Sequence, residues 1–168
     1  MTTTFDIRPV VPDDTDGLVA LWRETWSATY GSTLGTDALA AMLAGLDHNG
    51  IAGMLPGRDE RGYCLASQGE VIGSVIMAER GETAYLWGLY VRPDWQRRGV
   101  GSRLLRGSAL GIEAAARVEV RVLSVSVAAI SFYRKHGFTG IGEEDTEISD
   151  RVVRPCLVMA ASTERLLK

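Results

Sequence analysis

A short segment that could bind phosphate joins a strand-like run to a helix near the middle of the chain. Ser102 follows it directly, and the segment reads Gln96-Arg97-Arg98-Gly99-Val100-Gly101. A helix that begins at two glycines leaves its first backbone N–H groups uncapped, and the positive end of the helix dipole adds to their attraction for an anion. The two arginines bring further positive charge. The spacing therefore indicates an anion site, although a plain tight turn with solvated arginines would explain the same residues.

Two familiar nucleotide-binding motifs do not fit this segment. The dinucleotide fingerprint needs a third glycine, and Leu104 stands at that position. It also needs an acidic residue on a second strand about 20 residues further on, where this chain is still in or just after the predicted helix. The nucleoside-triphosphate loop needs Gly-Lys-Ser/Thr after its glycines, and that sequence is absent. The phosphate would therefore belong to another class of ligand.

A second informative block lies closer to the C-terminus and reads Ala129-Ile130-Ser131-Phe132-Tyr133-Arg134-Lys135-His136-Gly137-Phe138. Gly137 has the position of a left-handed residue that ends a helix, so the pattern predicts a short helix from Ser126 to His136. In such a Schellman cap, Phe138 packs back on Phe132 or Tyr133. This explanation accounts for both phenylalanines and the glycine, but it gives no reason for the hydroxyl of Tyr133.

Length and composition limit the class of protein. The 168 residues suffice for one domain with a sizeable core, and the 46% apolar and 23% charged fractions are ordinary for a soluble globular protein. No apolar run approaches the ~20 residues of a membrane helix, and the first residues lack the pattern of a secretory signal. The net charge of -3 argues against a general nucleic-acid binder. We therefore expect a cytoplasmic protein that binds neither nucleic acid nor membrane.

The cysteines and histidines do not indicate a metal site. Cys64 and Cys156 each lie in an apolar, strand-like run, which is typical of small core residues in a reducing compartment. His48 and His136 are the only histidines. We therefore expect no metal-binding cluster.

The hydrophobic periodicity predicts a mixed α/β layer structure that positions the two motifs. The predicted order is a strand, two helices, three strands, a helix, a strand, a helix and two strands, in a single domain of residues 1–168. Gly88 in the middle of the fourth strand, 84–91, favours a bulge. The glycine-rich stretch from Gly45 to Gly62 is predicted to be a mobile lid. The helix that begins at Val100 is predicted to include Ile112 and Ala116, and the acidic residues 143–147 are predicted to form an exposed loop.

Together the two blocks resemble the GNAT superfamily of acetyl-CoA-dependent N-acyltransferases. The first fits that family's Gln/Arg-X-X-Gly-X-Gly/Ala motif, the second fits its later A-I-x-F-Y-x-x-x-G-F element, and Ile7-Arg8-Pro9 is similar to its first strand. The resemblance covers nearly the whole chain in element order. It implies a mostly antiparallel central sheet of about seven strands, flanked by about four helices and splayed between the fourth and fifth strands.

The resemblance also implies transfer of an acetyl or similarly small acyl group from acetyl-CoA to a primary amine by direct attack. Tyr133 would be the general acid that protonates the leaving thiolate. Leu89 and Val91 would pair with the pantetheine arm as an added strand does. Ser126 stands where the family often has Asn, although a role as N-cap explains it as well. The residues implied to bind the co-substrate are Leu89, Tyr90, Val91, Gln96, Arg97, Arg98, Gly99, Val100, Gly101, Ser102 and Ser126.

The chain departs from many such relatives because its fourth strand carries no carboxylate that could act as a general base. Glu24, Glu79 and Glu82 are candidates, and each is also explained as a solvated surface charge. Deprotonating a lysine-like ammonium at pH 7 costs about 4–5 kcal/mol, whereas deprotonating an ammonium of pKa ~8 costs about 1.4 kcal/mol. A missing base would therefore favour a weakly basic acceptor.

The acceptor and the assembly stay open from the sequence. The acceptor amine, on a small molecule or a peptide, would lie against the first two helices and the lid, with Trp22, Trp26 and Tyr30, although aromatic residues at helical spacing are also plain core. A homodimer is the default assembly. Two alternative functions would use the same turn. The protein could be a CoA-binding sensor without turnover, or its basic turn could hold an acidic peptide.

Overall fold

The computed structural model describes residues 6–49, 55–149 and 152–168. The predicted order of strands and helices is confirmed, with a further short helix at the end. The elements in chain order are β1 (Ile7–Pro9), α1 (Thr15–Leu34), α2 (Thr36–Asn49), β2 (Glu60–Ser67), β3 (Glu70–Arg80), β4 (Thr83–Val91), α3 (Val100–Leu110), β5 (Arg117–Leu123), α4 (Val127–Lys135), β6 (Thr139–Ser149), β7 (Val152–Ser162) and α5 (Thr163–Leu166).

The strands form one seven-stranded sheet in the order β1-β2-β3-β4-β5-β7-β6. Neighbouring strands are antiparallel except β4 and β5, which are parallel. These two strands pair only from Thr83 with Arg117 to Leu86 with Val120, so they separate over the second half of β4. The predicted mixed α/β fold, with a splay between the fourth and fifth strands, is confirmed.

Helices cover both faces of the sheet. On one side, which we call the α3 face, Leu104 and Leu105 of α3 pack with strand residues such as Leu86 and Val120, and α4 joins the same core. On the other side, which we call the α1 face, residues of α1 pack with Ile76 and the buried thiol of Cys64. Because side chains alternate along a strand, the position of a residue on β4 determines which face it reaches.

A buried carboxylate joins β1 to the start of α1. Asp14 is 8% exposed, and it accepts hydrogen bonds from Arg8 at 2.7 and 2.8 Å and from the Val11 N–H at 2.8 Å. These bonds hold the first strand against the helix that follows it. None of the described helices has the length and apolar character that crossing a bilayer requires.

The predicted extent of α3 is wrong. The helix ends at Leu110, so Ile112 and Ala116 lie outside it. The following Gly111 lies so close to the Tyr63 hydroxyl that a side chain would not fit there. The Glu79 carboxylate then accepts hydrogen bonds from the N–H groups of the next turn, which are those of Glu113, Ala114 and Ala115 at 3.1, 2.5 and 2.7 Å. A contact distant in sequence therefore ends the helical pattern.

Two predicted loops also contain regular structure among the described residues. Gly45 lies within α2, and Gly62 lies in β2, where its carbonyl accepts a hydrogen bond from the Val10 N–H at 2.9 Å. Residues 50–54 lie outside the described residues, so a lid there stays a prediction. The acidic residues 143–147 are part of β6 because they pair with β7, with Glu144 opposite Cys156.

Candidate active site

The bulge that Gly88 predicts is present where β4 leaves β5. Ile76 of β3 pairs with Gly88, and Met77 pairs with Leu86, so Trp87 is the extra residue. Leu86 packs on the α3 face, and the alternation resumes with Leu89, which packs on that face too. The bulge therefore directs the two residues between them, Trp87 and Gly88, toward the α1 face.

The second half of β4 presents backbone groups to the gap. Arg92 donates its N–H to the Ile72 carbonyl at 2.9 Å, which fixes the alternation of hydrogen-bonded pairs along β3 and β4. By this alternation the N–H and C=O groups of Leu89 and Val91 point away from β3, toward the side that β5 has left. The Val91 carbonyl accepts a hydrogen bond from the Gln96 side chain at 3.1 Å. The remaining groups have no neighbouring strand, so an extended ligand could pair with them.

The turn after β4 keeps its backbone N–H groups uncapped. Gly99 is the N-cap of α3 with φ of 80°, Arg97 also has a positive φ of 63°, and no side chain caps the helix. Within the described part of the chain, the N–H groups of residues 97–102 donate to no protein atom. Gly101 lets α4 approach, since a Cβ there would lie 3.2 Å from the Phe132 ring. The turn therefore has the geometry that an anion site requires.

His136 lies at this turn, and sequence reasoning gave it no role. Its Nε2 is 2.9 Å from the Ser102 Oγ, and its ring centroid is 4.7 Å from that of Phe132. Burial and the positive charge of Lys135 both lower the pKa of His136, which favours the neutral imidazole at pH 7. The residue stands in the second motif, but no spacing rule links it to a serine 34 positions earlier.

Tyr133 is held by the cap that ends α4. Phe138 and Gly137 donate their N–H groups to the carbonyls of Tyr133 and Arg134, both at 3.0 Å, and Gly137 has φ of 90°. These are the two bonds of a Schellman motif, and the Phe138 ring lies 5.2 Å from the Tyr133 ring. The predicted cap is present. Among the described residues the Tyr133 hydroxyl has no hydrogen-bond partner, so the cap accounts for the ring and not for the hydroxyl.

Three phenols approach one another across the gap. Tyr133 belongs to the core of the α3 face, whereas Tyr90 packs on the α1 face. Burial raises the pKa of Tyr133, and the nearby Tyr90 raises it further. Burial likewise raises the pKa of Tyr90, partly offset by the facing Trp26 indole and Tyr30 hydroxyl. These phenols are therefore protonated at neutral pH and can act as hydrogen-bond donors.

Aromatic rings of α1 form a wall beside Tyr90. Trp22 and Trp26 stack with centroids 6.4 Å apart, and both meet the Tyr90 ring edge-on, at 6.1 and 6.2 Å. Trp22 is core, since it is 2% exposed and its indole donates to Ser74 at 3.1 Å. Trp26 and Tyr30 are half-buried, and the buried Trp26 Nε1 has no hydrogen-bond partner within the described residues. Of the three aromatic residues predicted for an acceptor pocket, Trp26 and Tyr30 remain accessible.

The carboxylates considered as a general base are engaged or distant. Glu79 caps the turn after α3, and Glu82 precedes β4 at its paired end, about 20 Å along the strand from Leu89. Glu24 forms an ion pair with Arg92 at 2.7 Å. No described carboxylate is among the groups that shift the pKa of the three phenols. Ser126 is the N-cap of α4, but its side chain makes no capping bond. Nor does any group of His, Cys, Asp and Glu in the described ranges have metal-binding geometry.

Residues 58–140 match the sequence model of the acetyltransferase (GNAT) domain. Together with the fold, this match shows that the chain belongs to the GNAT superfamily, as its two motifs predict. No curated protein sequence is a significant match. The family membership supports acetyltransferase activity for this chain.

Solved acetyltransferases share the fold over their whole length. PaiA N-acetyltransferase from Thermoplasma acidophilum, solved in complex with coenzyme A, superposes with a TM-score of 0.73 at 20% identity, covering 95% of this chain and 99% of that one. A GCN5-related N-acetyltransferase from Rhodopseudomonas palustris gives 0.75 at 20% identity, covering 96% and 98%. An acetyltransferase of the GNAT family from Streptococcus pneumoniae gives 0.65 at 20% identity, covering 95% and 99%. At these identities the likeness concerns the fold.

Proposed function

We propose that this protein transfers an acetyl or similarly small acyl group from acetyl-CoA to a primary amine, with Tyr133 as the general acid. The observation that carries the proposal is the gap between β4 and β5. Its edge at Leu89 and Val91, which lacks a strand partner, runs next to the uncapped turn at residues 97–102, and Tyr90 between them interacts with the unpartnered Tyr133 phenol. A diphosphate, an amide-containing arm and a thioester follow one another in the same way along acetyl-CoA.

The residues at the gap fit the successive parts of acetyl-CoA. The N–H groups of residues 97–101 would bind its diphosphate, with Arg97 and Arg98 adding charge. The Arg98 guanidinium lies 5.1 Å from the centroid of the Trp95 ring, which restrains it beside the turn. The two pantetheine amides would pair with the exposed Leu89 carbonyl and Val91 N–H. Gln96 supports this edge by its bond to the Val91 carbonyl, and Ser102 extends the turn toward His136.

The proposed reaction is a direct acyl transfer. The neutral amine forms a C–N bond to the thioester carbonyl carbon, the C–S bond breaks, and the nitrogen loses a proton to water. The Leu89 N–H would stabilise the negative charge that develops on the carbonyl oxygen. Tyr133 would donate its proton to the departing sulfur and recover one from solvent. Cys64 and Cys156 are both buried and unpaired, so neither is placed to carry the acyl group.

The Tyr133→Phe variant tests the acid role, because it removes the hydroxyl and keeps the ring that the cap requires. We expect acyl transfer to fall by about 100-fold or more, measured as free-thiol release from acetyl-CoA with a panel of primary amines. Calorimetry should show acetyl-CoA affinity within about twofold of wild type. Tyr63→Phe is the matched control, since Tyr63 lies at the other end of α3, beside Gly111, and its loss should leave the rate unchanged.

Two results would contradict the proposal. Full activity in Tyr133→Phe would remove this tyrosine from the mechanism and leave the transfer itself in place. Tight binding of acetyl-CoA with no thiol released for any amine would instead indicate the alternative function, a CoA-binding sensor.

A further inference from the structure

We propose that the acceptor is an amine carried on a planar aromatic body, and that this body stacks on Trp87. The inference rests on the proposed acyl transfer and names the class of its second substrate. It depends on a cavity on the α1 face, next to the gap, that contains no residue assigned above to acetyl-CoA.

Trp87 lies on the α1 face, as Tyr85 does by strand alternation, and neither of the two core clusters that flank β4 contains it. Its side chain is 46% exposed, whereas Trp22 is 2% exposed and Trp26 is half-buried. Trp87 lies beside the Tyr85 ring on this surface, so a planar ligand could contact two aromatic side chains there.

The cavity over Trp87 is an open surface depression of small-molecule size. Its volume is about 300 Å³, and it is lined by Arg80, Tyr85, Trp87 and Arg121, which come from three adjacent strands. The Arg80 guanidinium lies 4.8 Å from the Trp87 ring centroid, and that of Arg121 lies 5.5 Å from the Tyr85 ring centroid. Each guanidinium covers one face of its ring, so a ligand would stack on the opposite face, and a body of one or two rings suits a cavity of this volume.

The cavity borders the gap, because Trp87 and Arg121 directly follow Leu86 and Val120, the last residues that pair β4 with β5. Trp87 precedes Leu89 by two residues, which is about 7 Å along the strand. It also shares the α1 face with Tyr90, whose phenol approaches Tyr133. A ring held on Trp87 could therefore present an amine, on a short alkyl spacer, to the gap.

The charges around the cavity do not favour a polycationic acceptor. Arg80 pairs with Asp59 at 2.9 Å, and Arg121 pairs with Glu144 at 2.7 Å and with Glu119 at 3.2 Å. Each of these carboxylates thus already has a guanidinium partner. The two arginines would repel each additional positive charge of a polyamine, whereas an aromatic monoamine has one charge and a ring that could contact the two aromatic side chains. Stacking and burial of apolar surface are therefore the main means of recognition.

The test compares 2-phenylethylamine with n-hexylamine, an apolar amine without a ring, and with spermidine. We expect 2-phenylethylamine to have the highest kcat/KM with wild-type protein. Trp87→Leu should lower its kcat/KM about tenfold, chiefly through KM, and change that of n-hexylamine less than twofold. Trp87→Phe keeps a planar ring and should retain most of the wild-type value. Leu110→Ala, which alters a 70% exposed residue of α3, is the control and should change neither.

Calorimetry with saturating CoA gives a measurement independent of turnover. Wild-type protein should bind 2-phenylethylamine, and Trp87→Leu should bind it about tenfold more weakly. Three results would overturn the inference and leave the acyl transfer intact. They are an equal loss of kcat/KM for the two apolar amines in Trp87→Leu, no effect of Trp87→Leu, and a preference of the wild-type protein for spermidine. If no amine is acetylated, the proposed function fails, and the calorimetric comparison alone decides whether Trp87 binds the aromatic amine.

Discussion

Tyr133 has a structural role and a proposed catalytic one, which its sequence position alone could not separate. Its carbonyl and ring complete the cap of α4, and its hydroxyl is left without a partner beside Tyr90. Because burial and then Tyr90 raise its pKa, the phenol keeps its proton well above neutral pH. In the proposed reaction it would therefore be a competent donor wherever the acceptor amine is neutral.

The missing carboxylate determines the expected pH dependence. Without an enzyme base, kcat/KM should rise tenfold per pH unit below the pKa of the acceptor amine and level off above it. Two acceptors whose amines differ in pKa should therefore give curves displaced by that difference, with no fall up to about pH 10 from loss of the Tyr133 proton. The measurement is the pH profile of kcat/KM for each amine. A limb at one fixed pH for both acceptors would reveal a titrating enzyme base instead.

At the level of single elements, the start of α3 depends on one backbone conformation. Gly99 has φ of 80°, where an L side chain is strained although no atom lies within 4 Å of its would-be Cβ. Gly99→Ala should lower the free energy of unfolding by about 1 kcal/mol and weaken acetyl-CoA binding, because the turn that aims the N–H groups must shift.

Denaturant unfolding and calorimetry measure the two effects of Gly99→Ala. Gly142→Ala is the matched control, since that glycine of β6 has open space and no positive φ. It should change stability by less than about 0.5 kcal/mol and leave acetyl-CoA affinity unaltered. Unchanged affinity in Gly99→Ala would contradict the role of this turn in binding.

The sequence predicts those features of the elements that depend on neighbours along the chain. The Schellman cap at Gly137 and the bulge next to Gly88 both follow from local residue types, and the structure has both. The end of α3 does not follow from local residue types. Glu79 of β3 determines it by accepting hydrogen bonds from three N–H groups of the turn after the helix. The acidic residues of β6 are predicted to be a loop for the same reason, since their composition does not reveal their pairing with β7.

At the scale of the whole molecule, the Asp14–Arg8 pair makes stability sensitive to acid. The hydrogen bonds from Arg8 are the main reason why the pKa of Asp14 is lowered. A carboxyl with a lowered folded-state pKa stabilises the protein above its unfolded pKa, near 3.9, and this contribution is lost as the pH falls through the folded value.

Asp14→Asn should therefore lower the free energy of unfolding at pH 7 by about 1–3 kcal/mol. It should also flatten the decline of stability below about pH 4, measured by urea unfolding at several pH values. Glu113→Gln is the control, because Glu113 is 80% exposed in its pair with Arg61 and should contribute less than about 0.5 kcal/mol. A pH dependence of stability that is the same with and without Asp14 would show that the pair is not responsible.

The sequence could not predict those parts of the candidate site that depend on contacts between segments distant in sequence. The two motifs indicate a phosphate turn and a capped tyrosine, each of which is local. The approach of Tyr133 to Tyr90 and the contact of Ser102 with His136 depend on how α4 packs beside the splayed strands. The cavity over Trp87 likewise needs the register of three strands, so no single segment of sequence contains it.

The opening between β4 and β5 separates the proposed binding determinants of the two substrates. The turn at residues 97–102 belongs to one layer of the protein, and Trp26, Tyr30 and Trp87 belong to the other. In the proposed function, substitutions in the second layer could therefore change the preference for the acceptor and leave binding of the acyl donor unaltered. A mutant library restricted to that layer would be the economical route to new amine substrates on this scaffold.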